Sequence, residues 1–194
     1  MYMCTHCYTL FKHESHNCQL IDCRGICVEI DDAIAIEVSV LNKLFMSNGV
    51  PLRTAHSCSS HTNIHALDAP KNMLVVVTPK NRFIDPYISF KLNRKLEPDT
   101  AHILQLKYAS IFKMLLDETN KIINVLYPDV YVFKVEGMEP SNKEHFYSIV
   151  ISGSFLAYPK LMDMYFVEEV RLEISHLFKK YLRKIVDNIE MFTA

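Results

Sequence analysis

Cys4-Thr5-His6-Cys7, followed by Cys18-Gln19-Leu20-Ile21-Asp22-Cys23-Arg24-Gly25-Ile26-Cys27, is the stretch that decides how the front of this chain folds. Cys4-x2-Cys7 has zinc-knuckle spacing: two thiolates two residues apart grip one ion because the turn between them points its amides at the sulfurs. The second pair comes from Cys18, Cys23 and Cys27, and both Cys18-x4-Cys23 and Cys23-x3-Cys27 suit a tetrahedral site. Ile26, Val28 and Ile30 alternate with Cys27 and Glu29, the pattern of a short strand that would claim Cys27. The spacing therefore favours Cys4, Cys7, Cys18 and Cys23 as ligands of Zn2+, with Gly25 letting the chain leave the site. His6, His13 and His16 stand in reserve. Four thiolates leave no open position for water, so the expected role is structural.

Residues 1–25 show little apolar periodicity and cannot bury enough area to fold alone, which makes a metal the natural staple. The organisation expected is a zinc-ribbon module over 1–27 and an α+β domain over 28–194. All six Cys and six of the nine His lie within residues 1–70, and only His102, His145 and His176 follow. At 194 residues and 49% hydrophobic content a globular chain is expected. A net charge of −1 argues against a surface that coats nucleic acid. The opening residues show neither a basic n-region nor an apolar h-region, and no apolar run reaches the roughly 18 residues of a membrane span. A cytoplasmic protein without a membrane segment is expected, and in a reducing compartment clustered cysteines favour metal over disulfides.

Beyond the ribbon, Asp31-Asp32 read as the cap of a helix running to about Met46, ended by Asn48-Gly49. Val50–Ala55 read as a strand, 62–72 as polar loop, Leu74–Thr78 and Tyr87–Phe90 as strands. A long helix from about Asp99 to Leu126 follows Pro98 and stops before Pro128. Val130–Glu136 and Phe146–Ser152 read as a hairpin, and Pro159–Phe192 as a last long helix with room for a break. That order gives an α+β fold: a mixed β-sheet covered by helices behind the zinc ribbon.

The segment Arg53-Thr54-Ala55-His56-Ser57-Cys58-Ser59-Ser60-His61 concentrates small hydroxyls, a thiol and imidazoles at a strand end. Such a loop exposes backbone N–H groups and side-chain donors together, which suits an anionic ligand; Arg53, Ser57, Cys58, Ser59, Ser60 and His61 are the candidate contacts. His61 can bind the ligand or move protons, and Cys58 becomes a nucleophile where a neighbouring His or Arg lowers its pKa. A second metal site from His56, Cys58, His61 and His65 is the alternative use of the same side chains. No GxGxxG or Walker motif occurs, which disfavours dinucleotide binding and nucleotide hydrolysis. Lys179, Lys180, Arg183 and Lys184, with Arg171, form a basic helix end that reads as a solvated face.

Cys23-Arg24-Gly25, Val28-Glu29-Ile30-Asp31-Asp32, Leu41-Asn42-Lys43, Thr54, Cys58-Ser59-Ser60-His61 and Tyr87-Ile88-Ser89-Phe90 carry a resemblance over roughly residues 1–90. The pattern resembles small uncharacterised bacterial and phage proteins. Those have a cysteine-rich ribbon, an acidic helix start, a Leu-Asn-Lys segment, a Cys-Cys-Ser-Gly-His loop and a Tyr-Ile-x-Phe strand. The loop resembles more faintly the Ser-Cys-Ser-Gly-Arg loop of the tRNA wybutosine-synthesis methyltransferase family. Here Ser60 stands where the glycine would be, and Ala55-His56-Ser57 precedes Cys58 in place of a second Cys. The first resemblance implies a role in phage–host conflict, through a host protein or a nucleotide signal. Three functions are expected: a zinc-stapled protein binding a nucleotide, RNA or host protein at the 56–61 loop, a tRNA-modifying methyltransferase-like enzyme, or a homodimeric interaction protein joined through its last helix.

Overall fold

Ile88, Phe90 and Leu92 are buried while Tyr87, Ser89 and Lys91 between them are half-buried, so one strand shows the plan of the whole sheet. One face takes the helices and the core; the other takes the polar side chains. A computed structural model describes residues 1–12, 17–18, 20, 23–59, 61–62, 83–93, 95–140, 146–156 and 164–193. The strands are β1 (Tyr2–Cys4), β2 (Leu10–Phe11), β3 (Cys27–Glu29), β4 (Leu52–Cys58), β5 (His61–Thr62), β6 (Phe83–Ile84), β7 (Tyr87–Leu92), β8 (Tyr131–Met138) and β9 (Ser148–Phe155). The helices are α1 (Ala35–Ser47), α2 (Pro98–Leu126) and α3 (Met164–Asp187), and a 3₁₀ turn over Ile189–Phe192 follows α3.

The class is α+β. A ribbon sheet in the order β2-β1-β3 precedes a four-stranded sheet in the order β4-β7-β9-β8, and β5 pairs with β6. Every pairing among the described strands is antiparallel, so the main sheet is not the mixed one expected. The reason is connectivity: β8 and β9 form a hairpin, and a long helix returns the chain so that β9 lies antiparallel beside β7.

Local chemistry accounts for most boundaries. Pro98 occupies the first turn of α2, where its missing N–H costs nothing, and Pro128 lies just past the end. Gly49 closes α1 at φ +68°, and Val50 N donates to Phe45 O at 2.9 Å. Asp31 does not cap α1 as expected. The helix starts later, at Ala35, and Asp31 Oδ1 accepts from Ala33 N at 2.9 Å to close a turn ahead of it. The last helix breaks at Asn188, and the 3₁₀ turn carries Phe192 back against Phe45 and Phe112, at centroid distances of 5.4 and 5.0 Å. Phe112 also stacks on Phe90 at 4.8 Å. The expected strand Leu74–Thr78 and the start of the last helix at Pro159 lie outside the described residues, as does most of the 62–72 loop.

Most of the apolar face of α3 packs into the chain's own core, where Val167, Val170, Ile174, Leu177, Phe178, Leu182 and Ile185 are buried, while Leu172 stays exposed. Its basic end pairs inward. Arg183 Nε reaches Glu37 Oε1 at 2.9 Å, Lys179 Nζ reaches it at 3.7 Å, and Lys184 pairs with Glu118. Glu37 is buried on α1, so Arg183 and Lys179 tie α3 to α1, while Lys184 ties it to α2.

Both edges of the main sheet are met by a helix asparagine. Asn120 of α2 faces the backbone of β8 as a strand would, donating Nδ2–H to Phe133 O and accepting from Phe133 N, both at 3.0 Å. Asn42 of α1 accepts from Thr54 N of β4 at 2.8 Å and donates to Thr54 Oγ1 at 3.0 Å. Side-chain amides in these positions block pairing with a foreign strand locally. The ribbon docks on the same body: Met3 and Ile30 join the main core, and Ser39 Oγ of α1 donates to Tyr8 O at 2.6 Å. Among the described residues no helix is long and apolar enough to cross a membrane.

Candidate metal centre and the cavity beside it

The first turn after β1 is a knuckle. Tyr8 N donates to Cys4 O at 3.0 Å, Cys4 N donates to Thr9 O at 3.0 Å, and His6 N points at Cys4 Sγ from 3.4 Å. Tyr8 sits at φ +58°, a left-handed conformation unusual for a tyrosine, held by these bonds and by Ser39. A second loop is pinned opposite. Cys18 N donates to Gly25 O at 2.9 Å, and Cys23 N donates to Leu20 O at 3.2 Å.

These two loops bring Cys4, Cys7, Cys18 and Cys23 together, with all four sulfurs within 4.8 Å of one another. Cys4 Sγ is 3.7 Å from Cys23 Sγ, and Cys7 Sγ is 3.7 Å from Cys18 Sγ. A Zn–S bond of about 2.3 Å gives a tetrahedron whose edge is about 3.8 Å, so the spacing fits a four-thiolate metal site and exceeds a disulfide bond of about 2.05 Å. The cluster can hold a metal ion, and it is the only such group of His, Cys, Asp and Glu among the described residues. Cys27 stands across the strand pair from Cys4, beside the group but outside it. His6 is exposed and also lies outside it, and His13 and His16 fall outside the described residues.

The thiols differ in how readily they ionise. Burial raises the Cys7 pKa, but hydrogen bonds from the Thr9 side chain and backbone and from Cys4 and Cys18 outweigh it and bring it to about 6. For Cys18 the Leu20 backbone N–H works downward, yet burial and its bonds to Cys23, Cys7 and Cys4 push it up to about 12. Four sulfurs this close cannot all be charged without a cation among them, a charge that a bound metal ion would supply.

The candidate ligand loop divides. β4 runs on to Cys58, so Arg53 lies on the strand as expected, while Ser57 and Cys58 are strand residues and not loop residues. Cys58 is buried. Ser59 is also buried, and its N–H and Oγ both donate to Asp31 Oδ2, at 2.8 and 2.7 Å, while Ser59 O accepts from Ser175 Oγ at 2.6 Å. The two donors of Ser59 are thus already taken by a carboxylate, that of the chain's own Asp31. Ser60 and the side chain of His61 lie outside the described residues, as does His65.

Arg53, His56 and Ser57 reach a different place. They line a cavity of about 610 Å³ between the ribbon and the main sheet. Met3, Thr5, Tyr8, Val28, Glu29 and Ile30 form the ribbon wall; Thr54, Ala55, Tyr87 and Lys91 complete the sheet wall. The Arg53 guanidinium and the Lys91 ammonium converge on one ring, with Arg53 Cζ 6.0 Å and Lys91 Nζ 5.2 Å from the centroid of Phe146. Burial raises the Tyr8 pKa, against a lowering by Arg53 and with a further rise from Cys4; burial, then Cys58, raises that of Tyr87. Sequence reading missed Tyr8, Glu29, Tyr87 and Lys91 here. The alternation of β7 carried a signal, since Tyr87, Ser89 and Lys91 must share the face that Arg53 occupies on the next strand. Comparison with protein-family models, curated proteins and solved structures finds no match to the chain.

Proposed function

We propose that this chain is a zinc-stapled binding protein. Cys4, Cys7, Cys18 and Cys23 hold a structural Zn2+, and the ribbon it stiffens serves as one wall of a binding cavity. The ligand carries an anionic group, as a nucleotide, an RNA segment or an acidic stretch of a partner protein does. The observation that carries this reading is the convergence of Arg53 and Lys91 over Phe146 at the edge of the cavity. Two cationic side chains on one face of neighbouring strands give that rim a positive potential, to which a carboxylate or phosphate is drawn. Tyr8 and Tyr87 add aromatic surface to the walls, against which a base or an apolar side chain can pack.

The metal and the cavity are linked through β3. The strand leaves Gly25 beside Cys4, pairs with β1 and presents Val28 and Glu29 to the cavity. Losing the metal would release that wall.

Calorimetric titration of the zinc-loaded protein with adenosine triphosphate, hexauridylate and an acidic peptide tests the binding claim. At least one should bind, and Arg53→Ala should weaken it by about tenfold, the loss of one charge-assisted contact. No binding by any of the three would refute the reading.

A further inference from the structure

The cavity is lined in part by two edge strands, β3 and β4, which no other named strand covers among the described residues, with Asn17 bridging to Ile26 just ahead of β3. β3 ends the ribbon sheet and β4 ends the main sheet. The hydrogen-bond phase shows which backbone groups are left on the outer edges. Asn93 N donates to Pro51 O, so Pro51 and Arg53 face β7, and Leu52 and Thr54 face outward. The register shifts between Thr54 and His56, a bulge at Ala55. Beyond it His56 and Cys58 face β7, so Ser57 turns its N–H and C=O outward. On the ribbon, Thr5 N donates to Ile26 O and Ile30 N to Met1 O, which leaves the N–H and C=O of Glu29 on the outer edge. Asn42 occupies the outward N–H of Thr54, so the open stretch of β4 is bounded there and centred on Ser57.

We infer that an extended, acidic peptide segment of a partner protein adds to β4 at Ser57, with the ribbon strand β3 as the opposite wall. The inference rests on the anion-binding reading above and names its ligand class. A strand residue fills roughly 160 Å³ at a rise of about 3.3 Å, a spacing of about 4.8 Å and a sheet thickness of about 10 Å. The cavity of about 610 Å³ thus holds about four residues. Backbone pairing supplies affinity, and alternate side chains supply specificity. Acidic side chains on one face of the peptide meet Arg53, Lys91 and His56, and Glu29 is the one carboxylate among the described lining residues; apolar side chains on the other meet Met3 and Val28.

The test uses zinc-loaded protein and a blocked octapeptide of alternating Glu and Val, with a Lys/Val octapeptide as the charge control. Exchange of the Ser57 amide, followed by NMR, should slow at least tenfold on adding the Glu/Val peptide and stay unchanged with the Lys/Val peptide. Ser57→Pro removes the outward N–H without breaking a bond to β7, and should weaken binding at least tenfold; Ser57→Ala should not. Peptide binding that leaves the Ser57 amide unprotected would overturn strand addition, and equal binding of the Lys/Val peptide would overturn the acidic assignment. Binding of adenosine triphosphate or hexauridylate without binding of the Glu/Val peptide would refute this inference and leave the anion site standing. Binding of none would remove both. If Ser57→Pro does not fold, protection of the Ser57 amide in the unmodified chain decides the matter.

Discussion

Gly25 passes so close to Cys4 that a methyl group on its α-carbon would overlap the Cys4 sulfur and sit 2.8 Å from His6 Cβ. Glycine is needed at this position for close approach and not for an unusual backbone angle. The chain has to cross the knuckle there to reach β3, so the sulfur cannot move away without opening the site. Gly25→Ala should therefore destabilise the ribbon by about 2 kcal/mol and lower metal content together with thermal stability. A variant that keeps full metal content and the parental Tm would show that the crossing is looser than described.

Cys18 and Cys27 give a paired contrast. Cys18 belongs to the sulfur group and is half-exposed, whereas Cys27 is buried and outside it. Cys18→Ala should reduce zinc affinity by on the order of a hundredfold or more, beyond the effect of losing an outer-shell partner. Cys27→Ala should cost about 1 kcal/mol of packing and leave metal content unchanged. Competition with a chromophoric chelator measures both, and a reversed order would exchange the two residues' roles.

Asn120 protects the outer edge of β8. Asn120→Ala deletes its two bonds to Phe133 and should cost about 2 kcal/mol, at about 1 kcal/mol per hydrogen bond. It also uncovers a strand edge, so concentration-dependent self-association should rise in sedimentation experiments. A variant as stable and as monodisperse as the parent would remove the protective role.

Asp85 gives a pH-dependent prediction. Burial raises its pKa above the ordinary carboxylate value, and the hydroxyl of Tyr131, donating at 3.1 Å, offsets part of the rise. The folded state therefore holds the proton more tightly than the unfolded one. The resulting stabilisation is complete below the unfolded pKa and is lost as pH rises through the folded value. At neutral pH the ionised group costs stability, and Asp85→Asn, which still accepts from Tyr131, should raise Tm. The gain should vanish near pH 3. A variant less stable than the parent at pH 7 would contradict this.

Much of this architecture was legible in the residues, for identifiable reasons. Cysteine spacing is a local geometric constraint, so Cys4, Cys7, Cys18 and Cys23 could be grouped and Cys27 set aside on strand alternation. Pro98 and Pro128 bracket α2, and Gly49 marks the end of α1, because each restricts or frees one backbone angle. What escaped was set by contacts distant in sequence. Ser59 is clamped by Asp31 and Ser175 from two other segments, so one of the residues that read as an anion contact already serves the chain's own carboxylate. β1 and β2 are three and two residues long, too short to show a period. Strand direction follows from how long helices return the chain, which no residue pattern near the strands records. Arg53 was read as a ligand contact through its neighbours in sequence, but its partners in the cavity, Lys91 and Tyr8, come from other strands and loops.

The central claim is that one zinc ion staples the ribbon through four thiolates. Elemental analysis of protein purified without added metal, repeated after dialysis against a strong chelator and combined with thermal melting, tests it most directly. The account predicts about one zinc per chain, lost on chelation, with a lower Tm and faster amide exchange across residues 2–30 that zinc restores. A metal-free protein with an unchanged Tm and an ordered ribbon would contradict it.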